Sequence, residues 1–257
     1  MSAVIAFKAT CGKEVAVRRT VMVVLALVAA LGLADTAVAS QVERTLAPAG
    51  AEAQVTATPF ALSGVSGRIP RVTVRRTDAD IPGPGVGTAS VELFNLELDT
   101  PKDALHGEIV GANARLVRRR IRLDGVGFGE LLGITDLDIA NPYDISPAGG
   151  VASEARLTGT VPGADQPATV IVTLRLADGV FHMRPSQLLE VPDGDEQAVL
   201  DGFTFDLDTR TLPLGGPADL VQLNGGSLEF SHDRVNTVVE PADLEPLARA
   251  STLENHG

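Results

Sequence analysis

Five arginines lie close together in one short stretch of this sequence: Arg115, Arg118, Arg119, Arg120 and Arg122. Alternate side chains of a β-strand share a face, so Arg118, Arg120 and Arg122 would form a row, with Arg119 on the opposite face. A guanidinium row suits phosphate or carboxylate groups, each held through two parallel hydrogen bonds. These three arginines are therefore candidates for binding an anionic group. Pairing with the protein's own carboxylates, or simple solvation, is the alternative.

The overall charge excludes one class of anionic partner. The chain carries a formal net charge of −12. Affinity for nucleic acid comes mainly from neutralising phosphates with basic residues. An acidic protein of this kind is a poor nucleic-acid binder, and we expect no nucleic-acid partner.

The remaining polar residues form no recognisable catalytic or metal-binding motif. The four histidines are scattered, and the "LSGVSG" stretch at 62–67 lacks the spacing of a serine nucleophile elbow. The acidic clusters lack the ligand spacing of a calcium loop. The sequence thus predicts no catalytic residue, no metal and no cofactor. A hydrolase or transferase remains an alternative that would need Asp, Glu or His side chains to converge in a pocket.

The N-terminus has the features of an export signal. Basic residues precede an uncharged apolar run from Val21 to Ala34, and Ala37-Val38-Ala39 follows as a cleavage motif. We predict a signal peptide over 1–39, cleaved after Ala39, and an exported protein of the cell envelope or periplasmic space. The alternative is an uncleaved segment that keeps the protein on the membrane. The single cysteine, Cys11, lies within the predicted signal, so the mature chain would contain no disulfide.

Downstream of the signal, strand patterns dominate. We predict a linker or short helix at 40–58, broken at Pro48, then a β-rich domain at 59–240 and an acidic tail at 241–257. The runs at 71–76, 168–176 and 202–209 alternate apolar and polar residues, as half-buried strands do. The run at 89–98 has apolar residues in both phases, which indicates two apolar faces or a bulge.

Helical patterns are few and short. The candidates are 128–134, 185–191 and 243–250, and the stretch 226–239 is interpreted as a hairpin around His232. The fold class predicted is mainly β with a few short helices. We expect a single elongated, curved antiparallel sheet or a barrel-like domain with an apolar interior.

Several stretches, in order, resemble the LmeA-like phospholipid-binding family of actinobacterial cell envelopes. They are "TPFALSGVSGRIPRVTV" (58–74), "RRRIRLDGVGFGELLG" (118–133), "TDLDIANPYDISPAGGVASEARLTGT" (135–160), "VTLRLADGVFHMRP" (172–185), "TLPLGG" (211–216) and "LNGGSLEFS" (223–231). The resemblance implies an envelope protein that binds phospholipid inside an elongated, mainly β fold. The family is defined by no catalytic motif, so no active-site residues carry over.

Aliphatic strand faces with few aromatic residues suit acyl chains, which need apolar area and little directionality. The candidates for lining a lipid cavity are Phe60, Leu93, Phe94, Leu96, Leu98, Val170, Val172 and Leu174. The arginine row Arg118, Arg120 and Arg122 would then meet the lipid head group or the membrane surface. The alternative is a scaffold protein of the envelope with a solid β core and a protein partner, which the sequence does not identify.

Overall fold

The computed structural model describes residues 3–57, 59–142, 153–192, 194 and 196–247. The β-dominated fold expected from the sequence is confirmed, and its strands divide into two antiparallel sheets. The elements are, in order, α1 (Ala3–Leu46), β1 (Glu52–Thr56), the 3-10 helix η1 (Phe60–Leu62), α2 (Ser63–Ser66), β2 (Arg68–Ile81), β3 (Gly85–Glu97), α3 (Asp103–His106), β4 (Asn113–Leu123), α4 (Gly125–Leu132), β5 (Asp138–Ala140), β6 (Glu154–Gly159), β7 (Ala168–Ala177), β8 (Val180–Glu190), α5 (Glu196–Gly202), β9 (Phe205–Asp208), η2 (Thr209–Thr211), β10 (Leu220–Leu223), β11 (Leu228–Val238) and η3 (Pro241–Leu244).

The N-terminal helix α1 has an exposed apolar part and a part that packs on the domain. Its stretch Val21–Leu46 is long and apolar enough to cross a membrane, a test that a signal sequence near the N-terminus also passes. Leu31 and Leu33 are among the exposed side chains, whereas Val42 and Leu46 in the last turns are buried. The segment 40–58 therefore consists mainly of the end of α1 and of strand β1.

The larger sheet has six strands in the order β1-β2-β3-β4-β11-β10. One of the two sheets is curled into a half-barrel. Strands β2 and β3 form a long hairpin whose turn contains Gly83 at φ +95°. Its register shifts between Arg76 and Ala79, where Asp78 adopts a φ of +49°. The arginine-rich strand β4 lies inside this sheet, with β3 on one side and β11 on the other.

The irregular pattern at 89–98 has a local cause. Asn95 has a φ of +49°, in the left-handed region that asparagine tolerates better than most residues. Leu93 and Leu96, three positions apart, are consequently both fully buried in the same apolar cluster. The sequence left two apolar faces or a bulge as alternatives; the register of β3 with β2 and β4 does not shift here, so this part of the strand contains no bulge.

The smaller sheet has five strands in the order β5-β6-β7-β8-β9. Strands β7 and β8 are joined by Asp178-Gly179, both at positive φ, as a two-residue hairpin turn requires. The cross-strand pair Leu176 and Phe181 flanks this turn. The sequence order of these strands makes the sheet a meander from β5 to β9.

Two apolar clusters form the interior of the described chain. The inter-sheet cluster joins the two sheets and includes Ile81, Ala89, Ile121, Leu123, Phe128, Leu157, Val170, Val172, Leu174, Phe181, Phe203 and Phe230. The helix-side cluster joins the six-stranded sheet to the end of α1, to η1 and to α3. It includes Val42, Leu46, Phe60, Ile69, Val72, Val74, Val91, Leu93, Leu96, Ala104 and Val117.

The helix predicted at 128–134 is confirmed by α4. Its N-terminus is capped by the carboxylate of Asp124, which accepts hydrogen bonds from the backbone of Val126 (3.1 Å) and Gly127 (3.0 Å). A Cβ on Gly127 would lie 2.1 Å from the carbonyl oxygen of Val86. Glycine is therefore required for α4 to pack this closely against β3.

Two local predictions are wrong. Residues 185–191, predicted as a helix, lie mostly in strand β8, and 226–239 is one continuous strand, β11, and not a hairpin. In both places, pairing with a neighbouring strand decides the structure: residues 185–190 pair with β7, and residues 228–238 pair with β4. Of the helix predicted at 243–250, the structure has η3 to Leu244; positions 248–250 and most of the acidic tail lie outside the described residues.

Candidate functional site

The candidate head-group arginines lie on the outer face of the six-stranded sheet, opposite the face that carries the apolar clusters. The register aligns Arg118 with Glu92 on β3 and with Asp233 on β11, and it aligns Arg122 with Glu229. Strand alternation gives Arg118, Arg120 and Arg122 one face, as the sequence predicts, and Arg119 the other.

Each arginine of the row contacts a carboxylate of the protein itself. Arg118 donates to both oxygens of Asp233 at 2.7 and 2.5 Å, and Arg122 donates to Glu229 at 3.0 Å. Arg120 lies between two acidic groups, with nitrogen–oxygen distances of 3.2 Å to Glu92 and 3.5 Å to Glu229. The row therefore supplies the cations of a network of ion pairs that spans β3, β4 and β11.

The network shifts the ionisation of its members. Burial acts to raise the pKa of Glu229, but hydrogen bonds from Arg122 and Asn224 and the charge of Arg120 outweigh it, so its pKa lies below the ordinary value. The hydrogen bond to Asp233 raises the pKa of Arg118. Both shifts favour the charged forms, so the ion pairs persist at neutral pH.

Part of each arginine side chain remains exposed on this face. The side chains of Arg118, Arg120 and Arg122 are 33%, 26% and 37% exposed. Part of this face forms a small polar niche of about 130 Å³, lined by Thr73, Arg75, Thr88, Ser90, Glu92, Arg120, Arg122 and Glu229. An anion that entered it would meet arginines that already have carboxylate partners.

Arg119 behaves differently from its neighbours because it points inward. Its side chain is only 5% exposed and donates to the backbone carbonyls of Glu245, at 2.9 Å, and Ala242. Asp243, 3% exposed, lies 3.4 Å from Arg119 and also accepts hydrogen bonds from Arg234. Burial lowers the pKa of Arg119, and Asp243 opposes that shift. This arginine fastens η3 onto the sheet and is not exposed to a ligand.

The eight candidate cavity residues are divided between the two clusters. Leu98 packs against the edge of the helix-side cluster, and Phe94 lies half-buried on the outer face with the Arg71 guanidinium 4.6 Å from its ring centre. The members of the helix-side cluster are Phe60, Leu93 and Leu96, and those of the inter-sheet cluster are Val170, Val172 and Leu174. The structure brings each set of three together but does not bring the two sets together.

An open groove that the sequence did not predict borders the inter-sheet cluster. Its volume is about 400 Å³, and it is lined by Leu131, Leu132, Val161, Pro162, Ala198, Asp201, Gly202, Thr204 and Phe205. Leu131, Leu132 and Phe205 are only partly buried and pack against the cluster. The Phe205 ring meets the fully buried Phe128 edge to face, with 6.0 Å between ring centres. An apolar surface thus runs from solvent to the interior at this point.

Part of this groove could have been predicted from the sequence. Leu131 and Leu132 are adjacent apolar residues in α4, and a surface helix buries only one stripe of its circumference. Two neighbouring leucines therefore leave apolar area at the border of that stripe. Phe205, by contrast, belongs to a strand whose alternation gives no indication that a groove lies beside it.

A larger groove, of about 620 Å³, has a mixed polar and apolar lining. Its lining consists of Arg68, Ile69, Pro70, Asn95, Leu96, Glu97, Asn113, Ala114, Arg115 and Asn236. Asn95 and Asn236 both have positive φ there, so two strands are locally irregular at the same level of the sheet. Leu96 is the one cavity candidate that also borders this groove.

Metal binding and histidine chemistry gain no support from the geometry. Within the described ranges, no group of three or more His, Cys, Asp or Glu side chains could hold a metal ion. His182 contacts Asp206 at 2.7 Å, and Arg184 donates to the same carboxylate at 2.8 Å. These three side chains lie on a solvent-accessible strand face, where a charged cluster is a common surface feature.

The comparison with known families agrees with the apolar character of the molecule. Residues 25–232, most of the chain, match the family described as LmeA-like phospholipid-binding. The chain belongs to this family. No curated protein and no solved structure matches it. The family is a lipid-binding one and is associated with the cell envelope.

Proposed function

We propose that this protein is exported to the cell envelope, where it binds a phospholipid without changing it chemically. The observation that carries the proposal is the apolar groove beside Leu132 and Phe205, together with membership of a phospholipid-binding family. The groove's volume of about 400 Å³ lies within the range of known ligand pockets, about 300–1,000 Å³. It has the size and the lining that part of an acyl chain requires.

The binding energy would come mainly from transfer of methylene groups out of water. Each buried methylene contributes about 0.8 kcal/mol, so six of them on the groove surface would contribute about 5 kcal/mol before the cost of ordering. Phe205 is half-buried and meets the core through Phe128. Phe205 is in register with Met183 of β8, which is in register with Leu174 of β7, one of the residues predicted from the sequence.

The arginine row lies on the outer face of the six-stranded sheet and not beside the groove, so its proposed contact is with the anionic head groups of a membrane surface. Arg118, Arg120 and Arg122 keep part of their surface exposed although each has a carboxylate partner. A phosphate would therefore compete with Glu92, Glu229 and Asp233 and would bind weakly. This contact is expected to add a preference for anionic membranes and to be independent of acyl-chain binding in the groove.

Calorimetric titration with a short-chain phospholipid, used below its micelle-forming concentration, tests the groove. The protein is kept in solution by an amphipathic polymer around α1. We expect saturable binding that weakens about tenfold in Leu132→Gln, because one apolar contact of about 1.4 kcal/mol is lost. The matched control is Leu189→Gln, an exposed leucine on β8 outside the groove lining.

The outcomes separate the parts of the proposal. Wild-type protein with no saturable binding would overturn phospholipid binding itself. Equal affinities for the wild type and Leu132→Gln would overturn the groove. Recovery of hydrolysed lipid after the titration would overturn the non-enzymatic role and favour a hydrolase.

A second set of variants tests the arginine row by measuring binding to vesicles of anionic or zwitterionic lipid. Changing Arg118, Arg120 and Arg122 to Gln is expected to reduce the preference for anionic over zwitterionic lipid about threefold at low salt, because screened charges contribute little at high salt. The control, which removes the same charge from elsewhere, changes Arg156, Arg175 and Arg210 to Gln. The same loss in both sets would reject a specific role for the row.

A further inference from the structure

The junction between the apolar helix and the domain is held by a specific polar contact. The carboxylate of Asp35 accepts hydrogen bonds from the backbone N–H groups of Phe60 (2.9 Å) and Ala61 (2.7 Å). These are the first two residues of η1. Pro59, at the N-cap position before η1, provides no side-chain hydrogen bond to them. Asp35 therefore caps η1 from a distance of 25 residues along the chain.

Apolar contacts continue from Asp35 along the same face of α1. Val38 and Ala39 pack against the helix-side cluster, and Val42 and Leu46 are buried within it. Their spacing of three to four residues is that of one helix face. Glu43, in the same turns, accepts a hydrogen bond from the backbone of Val55 at 3.0 Å. The helix is integrated into the domain from Asp35 onward, and not only from Ser40.

Cleavage after Ala39 would damage this junction. It would remove Asp35, which leaves two backbone donors of η1 without their acceptor, at a cost of about 1–3 kcal/mol for each group that stays buried. It would also remove Val38 and Ala39 from the cluster. The bond that a signal peptidase would cut lies in the middle of a helix that packs on the domain.

We propose that α1 is retained as a membrane anchor, and that the surface around Leu62 and Val65 rests on the outer side of the same membrane. Basic residues precede the apolar run, which places the N-terminus in the cytoplasm and the domain on the opposite side. The bilayer that α1 crosses is the partner of this surface. The inference is independent of the proposed lipid groove.

The length of the apolar run explains why the domain would touch the lipid. The 14 residues from Val21 to Ala34 form about 21 Å of helix, which is shorter than a hydrocarbon core of about 30 Å. A short span is accommodated by thinning of the bilayer and by drawing its flanks toward the interface. Asp35, at the end of the run, is bonded to η1, so the residues beside η1 are drawn in with it.

Those residues have the chemistry that an interface requires. Leu62, the residue after Ala61, is 58% exposed, and Val65 in α2 is 79% exposed. Gly64 lies between them against Leu105 of α3, where a Cβ would come within 2.5 Å of the leucine side chain. The short helix α2 is thus fixed against α3, while Val65 in α2 and Leu62 at the end of η1 are exposed. Their burial in lipid removes apolar area from water.

The first test is the mass of the full-length protein, with a C-terminal tag, recovered from the membranes of an expressing bacterium. We expect a chain that retains residues before Ser40 and stays in the membrane pellet after an alkaline carbonate wash. A mature chain that begins at Ser40 and is released by the wash would overturn the retained anchor.

The second test locates the membrane surface. In a Cys11→Ser background, single cysteines at Val65 and at Val126 carry the same fluorophore in vesicles with brominated acyl chains. Val126 is the matched control because it is an exposed valine, 62%, on α4 at the other end of β3, on a different element from the arginine row and outside the groove lining. We expect quenching at least threefold stronger at position 65 than at position 126. Equal quenching at both positions would overturn the contact.

Discussion

The two apolar clusters use similar aliphatic residues but differ in how their edges are closed. The helix-side cluster is covered by α1, η1 and α3, and side chains of α1 accept hydrogen bonds from nearby backbone groups. Its members beside the larger groove, Ile69, Leu96 and Ala114, are almost fully buried. The edge of the inter-sheet cluster includes partly buried side chains that line an open groove. The difference suggests two tasks: the first cluster joins the domain to its N-terminal helix, and the second offers apolar surface to a ligand.

The largest expected effect comes from the aromatic residues of the inter-sheet cluster. Phe181 meets Phe128 and Phe230 edge to face, with 6.2 and 5.2 Å between ring centres. Phe181→Ala should lower the free energy of unfolding by about 3–5 kcal/mol. Phe60→Ala, its counterpart in the helix-side cluster, should cost about 1 kcal/mol less because none of these ring pairs is lost.

Urea unfolding in mild detergent, followed by circular dichroism, measures this difference. An equal or larger effect of Phe60→Ala would mean that the helix-side cluster is the better packed of the two. The comparison between the clusters would then have to be reversed.

A smaller difference in unfolding free energy is expected between variants on the two faces of β4. The inner face is the one to which η3 is attached. Asp243→Asn keeps the shape of the side chain but leaves Arg119 as a buried cation with weakened compensation, which should cost about 3 kcal/mol of unfolding free energy. The control is Asp233→Asn, which breaks the partly exposed pair with Arg118 on the outer face. It should cost about 1 kcal/mol or less.

The same unfolding assay applies to both aspartate variants. Similar losses for Asp243→Asn and Asp233→Asn would contradict the distinction between a buried fastening and a surface ion pair. That result would also argue against a structural role for Arg119 that the surface pair of Arg118 lacks.

The smallest effect concerns the exposed cluster on the five-stranded sheet. Hydrogen bonds from Arg184 and then from His182 lower the pKa of Asp206 to about 2. Because the folded-state pKa is depressed, its stabilising effect is present above the unfolded pKa of about 3.9 and is lost as the pH falls through about 2. Arg184→Gln should raise the pKa of Asp206 toward its ordinary value.

Carboxyl-carbon NMR of Asp206 as a function of pH provides the measurement. Arg156→Gln, on β6, serves as the control and should leave the titration of Asp206 unchanged. A midpoint that does not move in Arg184→Gln would show that Arg184 is not the group that stabilises the charged form.

Strand alternation carried enough information to predict the β fold and the two faces of β4. Arg118, Arg120 and Arg122 share a face because the side-chain period of a strand is two, which holds whatever the neighbours are. The partners of these arginines could not be predicted. Glu229 and Asp233 lie more than 100 positions away, and their alignment depends on β11 pairing with β4.

The groove as a whole could not be predicted from the sequence for a related reason. Leu132, Val161 and Phe205 come from α4, from the loop after β6 and from β9, which only the tertiary fold brings together. The helix predicted at 185–191 is wrong because these residues pair with β7, and that pairing outweighs a weak local preference for helix.

Photo-crosslinking tests the central claim most directly. The full-length protein in vesicles is illuminated with a phospholipid that carries a photoreactive group in its acyl chain, and the labelled peptides are identified by mass spectrometry. The account predicts labels on peptides that contain Leu131, Leu132 or Phe205, strongly reduced in Leu132→Gln, in addition to labels on the apolar part of α1. Labels confined to α1 would contradict it, because they would mean that the protein touches lipid only as an anchored protein does.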